Sequence, residues 1–333
     1  MKISLNIKQW MRLVMPAVLA LFMAGTAWSQ GQCSNTGSVS SNFGSVTSFQ
    51  EQTTQLTTSA LSVAHCSGGL LNAFVVIGDP PYLRATIGGS ANNFKVVNNN
   101  GSGDSISYSA YADPTFQYQL TPGVAFNYYQ QTVLNVLGLM GGTGADIPMY
   151  FRTTAGANVS AGTYTDTFTI NWSWHICNIG AAICLGYTNG SGTTNVTLTM
   201  TVTAACNITS APDVNFGQAP TASSFLAVNQ NVSVLCTKGL NPYTVGMSVG
   251  QNVASDGKRR MANSGAYLKY DIFDPATGNV WGSTGASRVN NPGGTAANGL
   301  TPQLVPYRVQ IYTNQTTPPA AVYTDSVVVD VSF

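Results

Sequence analysis

The sequence predicts an all-β protein: two tandem immunoglobulin-like β-sandwiches, the second lacking its last strand. Three observations carry that expectation. Charged residues are only 8% of the 333, where about 25% is usual, while Gly, Ser, Thr, Asn, β-branched and aromatic residues abound. Period-2 alternation of apolar and polar residues recurs at residues 232–234, 243–249, 268–272 and 323–333, and Asp-Pro, Pro-Gly and Asn-Gly pairs separate such runs. Nowhere is a 3.6-residue apolar stripe sustained. Third, the chain repeats itself.

The elements follow in order. Lys2, Lys8 and Arg12 precede an apolar run over residues 13–24, and Ala27-Trp28-Ser29 offers a small-x-small cleavage site. Residues 1–29 are therefore expected to be a secretory signal peptide. The run is too short for a membrane span, and Gly31-Gln32 before Cys33 is no lipoprotein context. The expectation is a soluble exported chain starting near Gln30, without a span in its mature form. Removing the segment leaves ten basic against twelve acidic residues, which excludes a basic nucleic-acid footprint.

Residues 30–203 and 204–333 are two versions of one unit. Cys33 is followed ten residues later by Phe43-Gly44, and Cys206 ten residues later by Phe216-Gly217. "LTTSALSVAHC" ends at Cys66 and "LAVNQNVSVLC" at Cys236, giving separations of 33 and 30. "ISYSAYADP" matches "LKYDIFDP", "IPMYFRTT" matches "VPYRVQIYT", and "AGTYTDTFTINWSW" matches "AAVYTDSVVVDVSF". The last match aligns Phe168, Ile170, Trp172 and Trp174 with Val327, Val329, Val331 and Phe333, all on an inward face. The Tyr-Thr-Asp opening each of these strands suggests a corner tyrosine. Six cysteines in an exported chain read as disulfides. The repeat pairs Cys33 with Cys66 and Cys206 with Cys236, which leaves Cys177 for Cys184.

The ends of the halves differ. After its Tyr-Thr-Asp strand, half one adds "TNVTLTMTVTAAC", in which Val196, Leu198, Met200 and Val202 alternate with polar residues. Half two stops at Phe333. A missing strand leaves a hydrophobic groove and unpaired backbone groups, and addition of a strand from another chain is the recurring remedy. Few mature residues precede Cys33, so half one is expected to have no strand to donate, and the chain to cap one end of a polymer.

At this point the second half resembles the spore coat U-type domain, the pilin fold of archaic (Csu-type) chaperone–usher pili. "CNITSAPDVNFG", "VSVLC", "YLKYDIF" and "YTDSVVVDVSF" carry the resemblance. It is specific over residues 206–333 and looser over residues 33–203. A two-domain chain ending in such a domain resembles the tip adhesin of these pili. The resemblance implies export to the periplasm and then an extracellular place at the pilus tip, in the service of attachment and biofilm formation. It also implies a periplasmic chaperone that lends a strand, an outer-membrane usher, and an adjacent subunit whose strand replaces the chaperone's along Val327, Val329, Val331 and Phe333.

A tip domain's binding surface is expected opposite its junction with half two. "HICNIGAAICLGYTNGSG" has no counterpart in half two, and a Cys177–Cys184 bridge would stiffen the apolar loop Ile179, Gly180, Ala181, Ala182 and Ile183. Apolar loop tips on a secreted protein mark contact surfaces. Leu70 and Leu71 after Cys66, and Leu120, Pro122 and Val124 around the turn of an expected hairpin, "FQYQLTPGVAFNYY", are further candidates, with a core role the alternative for Leu70 and Leu71. Tips of this kind suit hydrophobic abiotic or host surfaces, held through many pili at once. Two rival readings remain open: a tip lectin stacking Trp172, Trp174 or tyrosines on sugar rings, and a structural initiator or adaptor without its own ligand. No catalytic or cofactor motif appears. His65 and His175 lack metal-ligand spacing, and there is no nucleophile elbow or phosphate loop. Asp271 and Asp274 should face opposite ways, Asp166 and Asp325 should serve a shared structural turn, and "DGKRR" at residues 256–260 should be a solvated loop.

Overall fold

The computed structural model describes residues 32–67, 79–130, 133, 137, 144–177 and 186–333; the expected signal segment lies outside them. In chain order, half one contains β1 (Gln32–Asn35), β2 (Ser38–Thr47), the short helix α1 (Ser48–Thr53), β3 (Thr57–Ser67), β4 (Tyr82–Ser90), β5 (Lys95–Asn98), β6 (Ser105–Tyr111), β7 (Ala125–Asn127), β8 (Gly144–Thr153), β9 (Gly162–Cys177) and β10 (Tyr187–Thr203). One sheet runs β1-β3-β8-β6. The other runs β2-β10-β9, with β4 and β5 along the far side of β9 and β7 beyond β4. The β5–β6 hairpin joins them. β9 is buried at every second position, as its alternation requires.

Half two contains β11 (Cys206–Ser210), β12 (Val228–Cys236), β13 (Thr244–Met247), β14 (Arg259–Asn263), β15 (Ala266–Phe273), β16 (Val289–Asn290), β17 (Gln303–Ile311) and β18 (Val329–Ser332). Its sheets run β11-β12-β17-β15-β14 and β16-β13-β18. The fold is all-β, and each half buries its own apolar core. Each half also has the expected disulfide between its first two cysteines, Cys33–Cys66 and Cys206–Cys236, with the paired cysteines directly opposite in register.

The repeat extends to side chains. Tyr164 OH donates to Ser160 O at 2.6 Å and Tyr323 OH to Pro319 O at 2.7 Å, each four residues upstream, so both Tyr-Thr-Asp motifs begin with a corner tyrosine. Tyr108 OH donates to Asp166 Oδ2 at 2.7 Å, and Tyr270 OH to Asp325 Oδ2 at 2.7 Å. Burial, reinforced by these bonds, pushes both phenols above their ordinary range, so each stays a donor. In both halves an Asn-Phe-Gly turn closes through the asparagine: Gly44 N donates to Asn42 Oδ1 and Gly217 N to Asn215 Oδ1. Both glycines have positive φ, +90° and +73°, which a side chain would strain.

Three expectations need correction. Residues 323–333 are not one strand: only β18 pairs continuously, with β13, while Thr324 forms an isolated bridge to Ala262. A strand exists only where it has a neighbour. "DGKRR" is not wholly solvated, since Arg259 is 2% exposed. Its guanidinium pairs with Asp271 at 3.0 Å and bonds the carbonyls of Met247, Ser248 and Trp281. Asp274, three residues on, instead caps an exposed turn through Ala276 N and Thr277 Oγ1. Finally, "FQYQLTPGVAFNYY" is no hairpin: Gln119 bridges to Tyr111 while β7 pairs with β4.

Candidate functional site

The first candidate is the open edge of half two. In half one, β10 lies between β9, to which it is antiparallel, and β2, to which it is parallel. Phe168, Ile170, Trp172 and Trp174 of β9 are 2%, 0%, 2% and 8% exposed. On β10, Val196, Leu198, Met200 and Val202 are at most 1% exposed; Val196 stands opposite Phe168, while Ile170, Trp172 and Trp174 stand opposite Thr194, Gly192 and Gly190. The counterpart of β9 is the segment ending in β18, and the counterpart of β2 is residues 212–219, which form no strand. No strand lies between these two among the described residues, and β18 pairs only with β13. The side chains register the vacancy. Val327, Val329 and Val331 are only partly buried against the core, as are Val214 and Phe216 of residues 212–219, and Phe333 is 59% exposed. The structure thus brings three of the four expected acceptor residues together along one edge. Val214 and Phe216 were visible in the sequence only as repeat markers, not as residues packed against the core.

The second candidate is the end of half one away from half two. The strand ends flanking residues 68–78, 138–143 and 178–185 all lie there: the end of β3, the start of β4, the start of β8, the end of β9 and the start of β10. Leu70, Leu71, Ile179, Gly180, Ala181, Ala182, Ile183 and Cys184 fall outside the described residues. Cys177 is inside them and disulfide-bonded. At this end a ladder of flat groups crosses the outer sheet face. Arg84 Cζ sits 4.1 Å over the Tyr82 ring, Tyr82 stacks on His175 at 5.6 Å, and His175 stacks on Tyr187 at 4.1 Å. His175 Nδ1 bonds Asn189 Oδ1 at 2.6 Å, and Tyr187 OH donates to Asp79 O at 2.9 Å. This ties the chain on either side of residues 178–185 to the chain leaving residues 68–78. His175 is the centre of that brace, which its isolated place in the sequence could not reveal.

The third cluster around "LTPGV" divides. Leu120 is 2% exposed and donates its amide to Ala110 O; it is a core residue, correcting its assignment as a contact residue, because the chain turns inward there. Pro122 and Val124 are exposed. They flank β4 near Ile87, whose carbonyl accepts from Gly123 N, some five residues or about 16 Å along the strand from Tyr82. They belong to the flank of half one, not to its far end. Trp172 and Trp174 face the core, and Trp172 Nε1 donates to Thr194 Oγ1, so neither offers a ring to a ligand.

Between the halves, Ser48 Oγ and Thr237 Oγ1 share a buried hydrogen bond of 2.7 Å, Lys238 Nζ pairs with Asp104 Oδ1 at 2.5 Å, Ser160 bridges to Lys238, and Asn158 Nδ2 donates to Asn298 O. Burial raises the Asp104 carboxyl, but Lys238 and Ser160 outweigh it and hold it below its usual range. Glu51, on the same helix face as Ser48, is fully buried, and neither carboxyl oxygen has a hydrogen-bond partner among the described residues.

Comparison with known proteins places these features. The family profile described as Spore Coat Protein U domain matches the chain twice, over residues 19–171 and 192–330. Among solved structures, the chain is similar to the chaperone–tip adhesion subunit pre-assembly complex CsuC–CsuE from the archaic chaperone–usher Csu pili of Acinetobacter baumannii. The identity is 21%, the TM-score 0.60, and the match covers 91% of this chain and 100% of that one. This likeness is one of fold. Weaker similarity extends to the CupB6 tip adhesin of Pseudomonas aeruginosa, at 10% identity and TM-score 0.30 over 91% of this chain and 95% of that one. Among curated proteins, none matches the sequence.

Proposed function

The chain belongs to the Spore Coat Protein U domain family, and from that premise we propose that it is the tip adhesin of a chaperone–usher pilus. The observation that carries this reading is the free edge of β18, which among the described residues pairs with β13 alone, while residues 212–219, the counterpart of β2, form no strand. Half one supplies the template for what fills it. The second family match begins at residue 192, so most of β10 belongs in sequence to the second unit while in space it completes the first. A donor would do for half two what β10 does for half one. It would run antiparallel to β18 and parallel to residues 212–219, and in the register of β10 its counterparts of Val196, Thr194 and Gly192 would face Val327, Val329 and Val331. A periplasmic chaperone would supply it first, and the adjacent pilus subunit would replace it after passage through the usher. The free energy of exchange would come from better packing of the second strand.

Half one, at the far end from that joint, would bind apolar abiotic or host surfaces through Ile179, Gly180, Ala181, Ala182 and Ile183, with Leu70 and Leu71 beside them. Each contact would be weak, since burying a few hundred Å² of apolar surface contributes several kcal/mol before association costs, and an array of pili would hold firmly by multivalency. The test has two parts. Mature chain made alone should aggregate, and the same chain with a second copy of residues 190–203 tethered after Phe333 should be a soluble monomer; a soluble monomer without the addition would refute the acceptor reading. Replacing Ile179 and Ile183 by Asp and Ala181 and Ala182 by Ser should abolish adhesion to polystyrene while pili still assemble. Unchanged adhesion would refute the loop assignment.

A further inference from the structure

Among the described residues β18 has a neighbouring strand on one edge only, yet it carries a set of side-chain ties. Arg288, in the turn before β16, reaches over β13 to meet it. Its side chain is 12% exposed. Nε donates to Thr244 Oγ1 at 2.9 Å, Nη2 to Thr244 O at 3.1 Å and Nη1 to Ser283 O at 2.8 Å. Past β13, Nη1 pairs with Asp330 Oδ2 at 2.6 Å and Nη2 approaches Asp330 O at 3.4 Å. The crossing needs Gly246. A Cβ there would lie 2.2 Å from Arg288 Nη1 and 2.6 Å from Asp330 Oδ1. Gly246 does not have positive φ, so space and not backbone conformation is what calls for glycine. A second tie is Ser248 Oγ, which accepts from Val328 N at 2.9 Å.

Half one has no such device at the matching place. Asn171 stands where half two has Asp330, on a strand flanked by β4 on one side and β10 on the other. Its Oδ1 accepts from Thr193 Oγ1 of β10 at 3.3 Å. Where the neighbour strand is present, it holds the position; where it is absent, a guanidinium anchored on β13 does.

We infer that Arg288 and Asp330 form a brace that keeps β18 in register with β13 while its outer edge is vacant, and that a strand filling that edge makes the brace dispensable. The inference rests on the acceptor reading above and adds to it a pair of positioning residues. An unbraced edge strand frays, because its ladder bonds to β13 compete with water and nothing covers Val327, Val329 and Val331. A partly exposed ion pair anchored by further hydrogen bonds stabilises by up to about 1 kcal/mol, which is about a fivefold change in opening at 1.4 kcal/mol per tenfold.

Hydrogen exchange reads that opening. The mature chain with its disulfides intact is diluted from denaturant to a concentration below aggregation, and exchange of residues 323–333 is followed by mass spectrometry. Each run is made with and without a synthetic peptide of residues 190–203, which in the register of β10 reaches the position of Asp330 and beyond. Asp330→Asn should speed exchange of residues 329–332 on the order of fivefold without peptide and leave it unchanged with peptide. Gly246→Ala, which expels the guanidinium but removes no charge, should do the same. Equal acceleration in both states would make the pair an ordinary structural contact and overturn the inference, as would no acceleration in either variant. If the peptide fails to slow exchange in the unmodified chain, the acceptor reading itself fails and the brace falls with it, an outcome separable from the response of the variants.

Discussion

Glu51 makes the stability of half one depend on pH in a direction opposite to that of most carboxylates. Its carboxyl is buried without a hydrogen-bond partner among the described residues. Burial raises it from 4.5 to about 7, an effect the Ala157 amide only partly offsets without making a bond of ordinary geometry. The Tyr164 phenol feels both Glu51 and Asp104, the latter paired with Lys238 at the joint. A carboxyl raised in the folded state binds its proton more tightly there than in the unfolded chain. Stability is therefore fully present below about 4.5 and falls as pH rises through about 7. At 1.36 kcal/mol per pH unit, the shift corresponds to a loss of about 3 kcal/mol, with water penetration reducing the observed value toward about 1–2 kcal/mol. Glu51→Gln removes the ionisation at nearly constant shape. Urea unfolding of the strand-tethered mature chain, followed by tryptophan fluorescence between pH 4.5 and 8, should show the variant overtaking the unmodified chain as pH rises, with a shallower slope. Equal slopes would refute the reasoning.

Other expectations follow from burial and geometry. Leu198→Ala empties a fully buried site in β10 and should destabilise half one by about 2–5 kcal/mol, measured by denaturant unfolding. Val329→Ala should cost under about 1 kcal/mol with the edge vacant and more once a donor strand covers it. Gly217→Val should leave the vacant form unchanged, since its unpaired segment can relax, but weaken binding of a peptide of residues 195–203 about 5- to 30-fold. That is the effect of about 1–2 kcal/mol for a left-handed non-glycine residue, read by isothermal titration. His175→Ala removes the middle of the Tyr82–His175–Tyr187 stack and should lower adhesion without lowering assembly, measured by bacterial attachment and pilus yield.

Much of this architecture was legible because it rests on local pattern or on the repeat. Alternation located β9, β10, β12 and β15, and the repeated Cys–Cys spacing gave the Cys33–Cys66 and Cys206–Cys236 bridges. The inward face of Trp172 and Trp174 followed from period two alone. What escaped depends on contacts remote in sequence. Arg259 sits in an apparently solvated charge run, and only the carbonyls of Met247, Ser248 and Trp281 together with Asp271 explain its burial. Leu120 borders a turn and looked exposed, but the chain re-enters the core there. Residues 323–328 alternate as well as any strand in the chain, yet alternation specifies a face and cannot supply a neighbour. Arg288 and Gly246 carry no signal of their own until the fold sets a guanidinium over the glycine.

A strand completing half two as β10 completes half one would have a set direction and register, and both follow from how β10 is held. Alternation alone does not fix direction, since a period-2 strand presents the same face when reversed. Register against β2 breaks once, between Thr199 and Thr201 of β10, opposite the step from Asn42 to Ser45. That step is the Asn-Phe-Gly turn with positive φ at Gly44, a bulge that admits one extra residue. Half two keeps the same turn at Asn215, Phe216 and Gly217, with the same side-chain bond and positive φ, although no strand among the described residues pairs with it. A strand entering the gap therefore meets a break in the ladder at one fixed level. Entered in the direction of β10, its apolar residues stay in phase on both sides of that break. Slipped by one residue, the same strand would turn its apolar face away from the core. The wall formed by residues 212–219 would thus help to fix the register of a donor, while the wall formed by β18 would supply apolar contact.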